Sequence, residues 1–294
     1  MREFLQMELP EREMILSPFL TTQGLCLLYS KRGVGKTHVA LGIAFAVATG
    51  GSFLNWVAPI PRRVLYIDGE MPAPSMQERL RRISVTEEFN PASLDFLRLI
   101  TPDLQDGSMP DLSTKEGQAS IENSVEECDL IIIDNLSCLF RTGDENEAQS
   151  WLLVQGWILE MRRRGKAVLF IHHAGKSGQQ RGTSKKEDIL DAVICLKHPI
   201  DYKPEEGARF EVHFEKTRHF AGDDAASFQA RLCEQEDGLW LWEVTNVNID
   251  STINRVAELT KKNYTIQKIM EEMKLSKSQV ETKQKKAKKL GLLD

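Results

Sequence analysis

Residues 29–38 read "YSKRGVGKTH", and the meaning of this stretch depends on what flanks it. Before it, "LCLLY" (25–29) is a short apolar run of the buried-strand type. After it, "THVALGIAFAVATGG" (37–51) places Ala40, Ile43, Ala44 and Val47 at helical spacing until Gly50 and Gly51 stop the pattern. A glycine-bearing loop between a strand and a helix is the context a phosphate-gripping loop requires. Successive backbone N–H groups curl around the phosphates, and the helix N-terminus adds the positive end of its dipole. Gly33 and Gly35 permit close backbone approach, Lys36 reaches the β- and γ-phosphates, and the Thr37 hydroxyl is a ligand for Mg²⁺. Ser30 stands where such loops usually begin with glycine, a position that only starts the turn. Ser30, Lys31, Arg32, Gly33, Val34, Gly35, Lys36, Thr37 and His38 are therefore the expected nucleotide-binding residues, with ATP and Mg²⁺ the expected ligands.

Two further apolar runs end in carboxylates. "RRVLYIDGEM" (62–71) reads as a strand from Arg63 to Asp68 followed by Glu70, and "CDLIIIDNLS" (128–137) as a strand ending in Asp134. In an open parallel α/β sheet the carboxyl ends of the strands line the ligand crevice, so Lys36, Glu70 and Asp134 converge there although distant in sequence. Asp134 is then expected in the Mg²⁺ shell with Thr37, and Glu70 is expected to orient or deprotonate the attacking water. His172 and His173 invite a metal site, but adjacent strand residues face opposite sides of a sheet and cannot easily share one ion.

Taken together, these segments resemble a known family. "VLYIDGEMP" (64–72) is similar to the "LEMP" segment of DnaB-type replicative helicases and "LIIIDNLSCL" (130–139) to their Mg²⁺-aspartate strand. "VLFIHHAGK" (168–176) and "ELPEREMILSPFLTTQGLCLLY" (8–29) resemble segments of the RepA-type plasmid hexameric helicases. The class is the RecA-like ATPases, and the resemblance covers about residues 8–246. It implies that His173 stands at the γ-phosphate-sensing position, often glutamine in these helicases. Phe210, Val212 and Phe214 alternate with polar residues as in a half-buried strand, which delivers Lys216 and Arg218 at its end. The resemblance implies that this K-x-R acts across a subunit interface, Arg218 as an arginine finger and Lys216 as its partner. It also places a channel-facing DNA loop at "AGKSGQQRGTSKKED" (174–188), where Lys176, Arg181, Lys185 and Lys186 would follow a single strand's phosphates, and a second at "FRTGDENE" (140–147) with Arg141.

The chain has 294 residues, 41% hydrophobic and 28% charged, an ordinary balance for a globular protein, and its net charge of −5 hides an asymmetry. From Arg255 onward, eleven basic residues face five acidic ones, so a tail near +6 follows a body near −11. Clustered cations suit a polyanion partner; a solvated helix face is the alternative. In the tail Thr265 caps a helix carrying Ile266, Ile269, Met270 and Met273 on one face. A turn follows at Lys274 to Ser276, then a second helix to Leu290, stopped by Gly291. Ser278 with Glu281, or Ser276 alone, caps that second helix. The outline resembles winged-helix DNA readers and implies Ser278, Gln279, Thr282 and Lys283 at base edges, with Lys285, Lys286 and Lys289 nearer phosphates. The five cysteines lack any C-x-x-C spacing and read as reduced core residues. No run approaches the roughly 20 apolar residues of a membrane helix, and the charged N-terminus lacks a secretory pattern. A cytoplasmic protein without membrane partners is expected.

The expected fold is α/β: an entry segment (1–20), a RecA-like core (21–249) with a mostly parallel sheet flanked by helices, and a C-terminal helix-turn-helix (250–294). "DAVICLKH", "FQARLCEQ" and "LWLWEV" are expected to extend the sheet, with Trp240 and Trp242 on one face. Three functions compete. The first is a ring-forming, most simply hexameric, ATP-driven DNA helicase of a plasmid or mobile element, with single-stranded DNA in the channel. The second is a regulatory ATPase that binds duplex DNA through its tail without unwinding it. The third is a small-molecule phosphotransferase, against which the trans K-x-R argues.

Overall fold

A computed structural model describes residues 1–86, 91–141, 148–175, 188–247, 251–289 and 293. In chain order these form α1 (Arg2–Leu5), β1 (Met14–Leu16), β2 (Leu20–Thr21), β3 (Leu25–Ser30), α2 (Lys36–Thr49), β4 (Ser52–Phe53), β5 (Trp56–Val57) and β6 (Val64–Asp68). Next come α3 (Ala73–Ser84), β7 (Leu97–Ile100), α4 (Lys115–Ser120), α5 (Glu122–Glu126), β8 (Leu130–Asp134), α6 (Leu136–Leu139), α7 (Ala148–Arg163) and β9 (Ala167–His173). The chain continues with β10 (Ala192–Lys197), β11 (Arg209–Thr217), β12 (Phe228–Glu234), β13 (Trp240–Asn246), α8 (Ser251–Lys261), α9 (Ile266–Met273) and α10 (Lys277–Lys289).

A nine-stranded sheet organises the described residues, in the order β13-β12-β11-β10-β3-β9-β8-β6-β7. From β10 to β7 all neighbours are parallel. β11, β12 and β13 then extend the sheet antiparallel as a meander. The parallel strands "LCLLYS", "VLYID" and "LIIID" are buried at every position, as expected where helices cover both faces. The strand expected from Arg63 begins one residue later, because Arg63 spends its backbone N–H on Asp129 Oδ2 at 3.0 Å.

Each face of the sheet has its own core. On one, α2 and α3 pack over Cys26, Leu28, Tyr66, Ile132, Leu169 and Ile194. On the other, Val154, Trp157, Ile158 and Met161 of α7 cover Leu25, Leu27, Ile67, Ile133 and Phe170. The apolar stripe expected on α2 becomes a helix buried on nearly all sides, since β1, β4 and β6 contact it as well. Gly42 makes this possible: a Cβ there would lie 2.2 Å from the Phe53 ring. Ile15, Leu16, Phe19 and Leu20, expected in a separate entry segment, belong to this same core. Trp242 does too, edge-on to Phe53 at 5.8 Å.

The tail differs in helix number. Three helices are present, not two, and no strand follows β13 among the described residues, so none of them forms a wing. α8 packs on α10 through Ile253, Ala257 and Ala287, while Val256, Leu259, Ile269, Met273 and Val280 join all three helices. Thr265 caps α9 as expected, accepting from Lys268 N–H at 3.3 Å. At α10 the capping box is Ser276 with Gln279. Ser276 Oγ accepts from Gln279 N–H at 3.3 Å, and Gln279 Oε1 accepts from Ser276 N–H at 2.9 Å.

Candidate nucleotide site

Strand register sets the site before any side chain does. Ser30 pairs with His173, Asp134 with Ile171, and Asp68 with Asp134, so the carboxyl ends of β3, β9, β8 and β6 form one row. The loop after Ser30 closes over that row. Gly33 (φ +81°) and Gly35 (φ +124°) adopt conformations that L side chains rarely take, and a Cβ on Gly35 would also meet the Phe210 ring at 3.2 Å. Ser30 has no positive φ, so this position does not need glycine. Its side chain is used instead: Ser30 Oγ donates to the Lys31 carbonyl at 2.8 Å and accepts from Lys36 Nζ at 3.3 Å. Lys36 Nζ also donates to the carbonyls of Ser30 (3.2 Å) and Lys31 (3.1 Å).

The resulting cleft measures about 680 Å³ and is lined by Arg32, Gly33, Gly35, Lys36, Thr37, His38, Asp68, Glu70, Met71, Arg79, Asp134, His173 and Ala208. Of the expected nucleotide residues, Ser30, Lys31 and Val34 lie outside its lining; Val34 is a buried core residue. Burial pulls the Lys36 ammonium down to about 8, with Asp134 and Glu70 opposing the shift. Burial also raises the Asp134 carboxyl despite hydrogen bonds from Tyr66 and Thr37. Asp68 is pushed up to about 6 by burial, with the Asp134 charge adding to it. His38 is held down to about 4 by burial and by Arg79 and Arg82, so its imidazole is neutral at pH 7.

Glu70 behaves differently. Burial alone would raise it, but hydrogen bonds from Cys138 and Asn135 and the charges of His173 and Arg32 hold it below its ordinary value. Cys138 Sγ donates to Glu70 Oε1 at 3.1 Å, and His173 Nε2 stands 3.8 Å from Glu70 Oε2 and 3.3 Å from Asn135 Nδ2. Cys138 is therefore a half-exposed site residue, and Cys233 is also half-exposed; only Cys26, Cys128 and Cys195 are the buried thiols expected. His172 is buried in the sheet, whereas His173, one residue further along β9, lines the cleft.

The Mg²⁺ expectation meets a suitable donor set. Thr37 and the buried Asp134 are hard oxygen donors hydrogen-bonded to each other. No group of three or more His, Cys, Asp or Glu that could hold a metal occurs among the described residues. Two hard oxygens are the protein share that Mg²⁺ usually takes where substrate phosphates complete its shell.

Four residues at or behind the cleft have no counterpart in the sequence reading: Arg79 lines it, and Tyr66, Asn135 and Cys138 hold its carboxylates. Tyr66 donates its O–H to Asp134 Oδ2 at 2.8 Å, and its place two residues before Asp68 on the same strand face was a readable signal. Arg79 lies three residues after the buried Met76 on α3. Asn135 and Cys138 follow Asp134 directly, but nothing in their pattern marked them.

Lys216 and Arg218 are at the other end of the sheet. β11 runs antiparallel to β10, so its last residue, Thr217, pairs with Ala192 at the start of β10. Arg218 there donates to the Asp188 carbonyl and stands 3.9 Å from Asp191 Oδ1. Asp191 also binds Arg12 (3.1 Å), Arg162 (2.8 Å) and Leu25 N–H (2.9 Å), and these hydrogen bonds and charges hold its carboxyl low against the effect of burial. Neither member of the K-x-R lines its own cleft.

Lys176, Arg181, Lys185 and Lys186 lie outside the described residues. Arg141 is fixed to the Met109 carbonyl. On α10, Ser278, Gln279, Thr282, Lys285 and Lys286 are exposed and Lys283 half-buried, with Gln279 Oε1 engaged in the cap.

A family model described as an AAA domain matches residues 1–179, more than half of the chain. The chain belongs to this AAA domain family. Among solved structures, that of the RadB recombinase superposes with a TM-score of 0.51 at 17% identity, covering 78% of this chain and 93% of that one. At that identity the likeness concerns the fold, which is RecA-like: a mostly parallel central sheet with flanking helices. No described helix is long and apolar enough to cross a membrane.

Proposed function

We propose that this protein is an ATP-hydrolysing, DNA-binding ATPase that works as a homo-oligomer. The observation carrying this reading is the convergence of Lys36, Thr37, Glu70, Asp134 and His173 on one cleft at the carboxyl ends of four parallel strands. In it, the backbone N–H groups of the glycine loop and the Lys36 ammonium bind the β- and γ-phosphates. Thr37 and Asp134 would hold Mg²⁺, which when bound neutralises phosphate charge and orients it for in-line attack. Glu70, ionised and fixed by Cys138, would orient the attacking water, and His173, 3.8 Å from Glu70, lines the same cleft, where it would sense the terminal phosphate. Asp68, whose carboxylate Oδ1 accepts from the backbone N–H groups of Glu70 and Met71 at 2.8 and 2.5 Å, shapes the loop that presents Glu70.

Lys216 and Arg218 act on a neighbour's nucleotide in this reading. They stand at the start of β10, at the opposite end of the strands from their own phosphate loop, about 20 Å away for a six-residue strand. A ring, most simply a hexamer of the RepA type, gives each cleft such a neighbour. The finer assignment is a DNA helicase of a plasmid or mobile element, single-stranded DNA meeting Lys176, Arg181, Lys185 and Lys186. A second reading, a regulatory ATPase without unwinding, draws support from the tail, where Ser278, Thr282 and Lys286 are exposed on one basic helix able to meet duplex DNA. ATPase rates with no DNA, single-stranded DNA and duplex DNA, followed by strand displacement on a forked substrate, test both. Hydrolysis stimulated by single strands with displacement supports the motor. Stimulation by duplex alone without displacement supports the regulator, and no hydrolysis under any condition refutes both.

A further inference from the structure

Residues 1–13 are exposed throughout, and their apolar side chains are not buried by their own subunit. α1 has no buried residue; Phe4 is 63% exposed, Leu5 76%, and Met1, Met7 and Leu9 face solvent as well. Met1, Phe4 and Leu5 fall at i, i+3 and i+4, so they share one face of the helix. Single exposed leucines on a protein surface are ordinary. A contiguous apolar strip of this kind marks contact with another surface.

The far end of the segment is anchored. Arg12 binds Asp191 at 3.1 Å and its Nη1 stands 2.7 Å from His219 Nε2, while Glu13 pairs with Arg62. Arg218 approaches the same Asp191 at 3.9 Å. The segment therefore leaves its subunit at the edge of the sheet where, in the proposed oligomer, the K-x-R meets a neighbour's cleft. A matching surface lies beside that cleft. α3 and β7 bound an apolar groove of about 650 Å³, with Leu97 and Leu99 of β7 as one wall and Leu94 and Leu104 exposed at its rim. Thr101 lines the groove and donates its Oγ1 proton to the carbonyl of the cleft-lining Met71 at 3.2 Å, so groove and cleft adjoin. β7 ends the sheet, and its outer edge has no strand partner among the described residues. An unpaired edge beside an apolar groove is suited to receive a second chain. Arg81, which also lines the groove and is held by the half-exposed Glu78, offers a cation to Glu3 beside Phe4. The chain from Phe4 to Arg12 spans up to about 25 Å, enough to pass from a neighbour's cleft to the groove next to it. The inference rests on the homo-oligomer reading. We propose that residues 1–9 dock in the α3–β7 groove of a second copy of this chain, with Phe4 and Leu5 as anchors, so that each subunit clasps the neighbour whose cleft receives its Arg218. Each copy gives one segment and receives another, a head-to-tail contact that closes into a ring or extends as a filament.

Cross-linking and light scattering on the full chain test this. Leu5→Cys and Leu104→Cys, both at exposed positions, are prepared separately and mixed under mild oxidation with Mg²⁺ and the β,γ-imido analogue of ATP. A two-chain product is expected in the mixture and in neither variant alone, with the unaltered chain as the control for the native thiols. Phe4→Ser combined with Leu5→Ser should raise the dissociation constant of the oligomer at least about tenfold, from the loss of buried apolar side chains, and leave nucleotide affinity within about twofold. Leu104→Glu should weaken the oligomer equally from the groove side. An oligomer unchanged by these variants, or a double Leu5→Cys, Leu104→Cys chain that cross-links only within itself, overturns the proposal while the oligomer stands. An unaltered chain that stays monomeric at every concentration, with and without nucleotide, refutes the homo-oligomer reading and this proposal with it.

Discussion

Lys36 gives the cleft a pH dependence whose sign follows from its surroundings. Burial pulls its ammonium down to about 8, against about 10.4 for an unperturbed lysine. Only the charged form attracts a triphosphate. At pH 7 about nine-tenths of the chains carry the charge, and at pH 9 only about one-tenth. Affinity for the β,γ-imido ATP analogue should therefore be nearly flat to pH 7.5 and fall about tenfold between pH 7 and 9, with close to one proton taken up per nucleotide at the upper limit. Stability without nucleotide moves the other way. The folded pKa lies below the unfolded one, so the unfolded chain binds more protons between about 8 and 10.4. Stability contributed by this group is lowest below pH 8 and rises through that window, by at most about 1.4 kcal/mol per pH unit. Calorimetry in buffers of different ionisation enthalpy measures affinity and proton uptake together. Lys36→Arg, which does not titrate, should flatten both. Affinity in the unaltered protein that stays constant from pH 7 to 9.5 would refute the assignment of Lys36 as the phosphate-facing cation.

Glu70→Gln should leave triphosphate binding within about threefold while reducing turnover by at least about 10²-fold, measured by filter binding and phosphate release; turnover near the parent's would move the base to Asp68. Arg218→Ala should leave a single subunit's ATP affinity unchanged and cut hydrolysis at least about tenfold. Mixing it with Lys36→Ala subunits should recover activity, and no recovery in mixed oligomers removes the trans finger. Tyr66→Phe deletes the O–H that Asp134 Oδ2 accepts at 2.8 Å and should cost about 1–3 kcal/mol in urea unfolding, the range for leaving a buried acceptor unsatisfied; a change below about 0.5 kcal/mol would show that water takes its place.

The phosphate loop and its metal-side carboxylates were legible because each stands at the end of a short apolar run, and buried parallel strands have no other appearance in sequence. Register was not legible. Nothing in "VLYID" or "LIIID" states that Asp68 pairs with Asp134, and the elevated carboxyl of Asp68 follows from that pairing together with burial. Tyr66 and Arg79 were readable in principle, since each sits on the core-facing side of an element already identified. They were missed because a strand tyrosine and a helix arginine usually need no function. The helix α8 had the plainest signal of all. Ile253, Val256, Ala257 and Thr260 are spaced for one helical face, and the first three are buried in the tail's own core. Ser276 rather than Ser278 caps α10 because the Gln279 side chain can return to the Ser276 N–H, a reciprocal pairing that glutamine supports as well as glutamate.

Sheet topology sets where Lys216 and Arg218 lie. The parallel strands β3, β6, β8 and β9 must present their carboxyl ends on one edge, because a strand–helix–strand crossover returns each to the same direction. The antiparallel addition of β11 then obliges its outgoing end to emerge at the opposite edge. A cationic pair placed there is separated from its own phosphate loop by the length of the strands, whatever rotamers it adopts. Arg218 stands in this structure against Asp191, a carboxylate already satisfied by Arg12, Arg162 and the Leu25 N–H, so a 3.9 Å approach adds little to stability. The residue is thus available at small cost to an anion outside its own subunit. Arg12, Arg162, Arg218 and His219 gather around Asp191 at that edge. A neighbour's phosphates brought against it would turn that excess of positive charge into attraction.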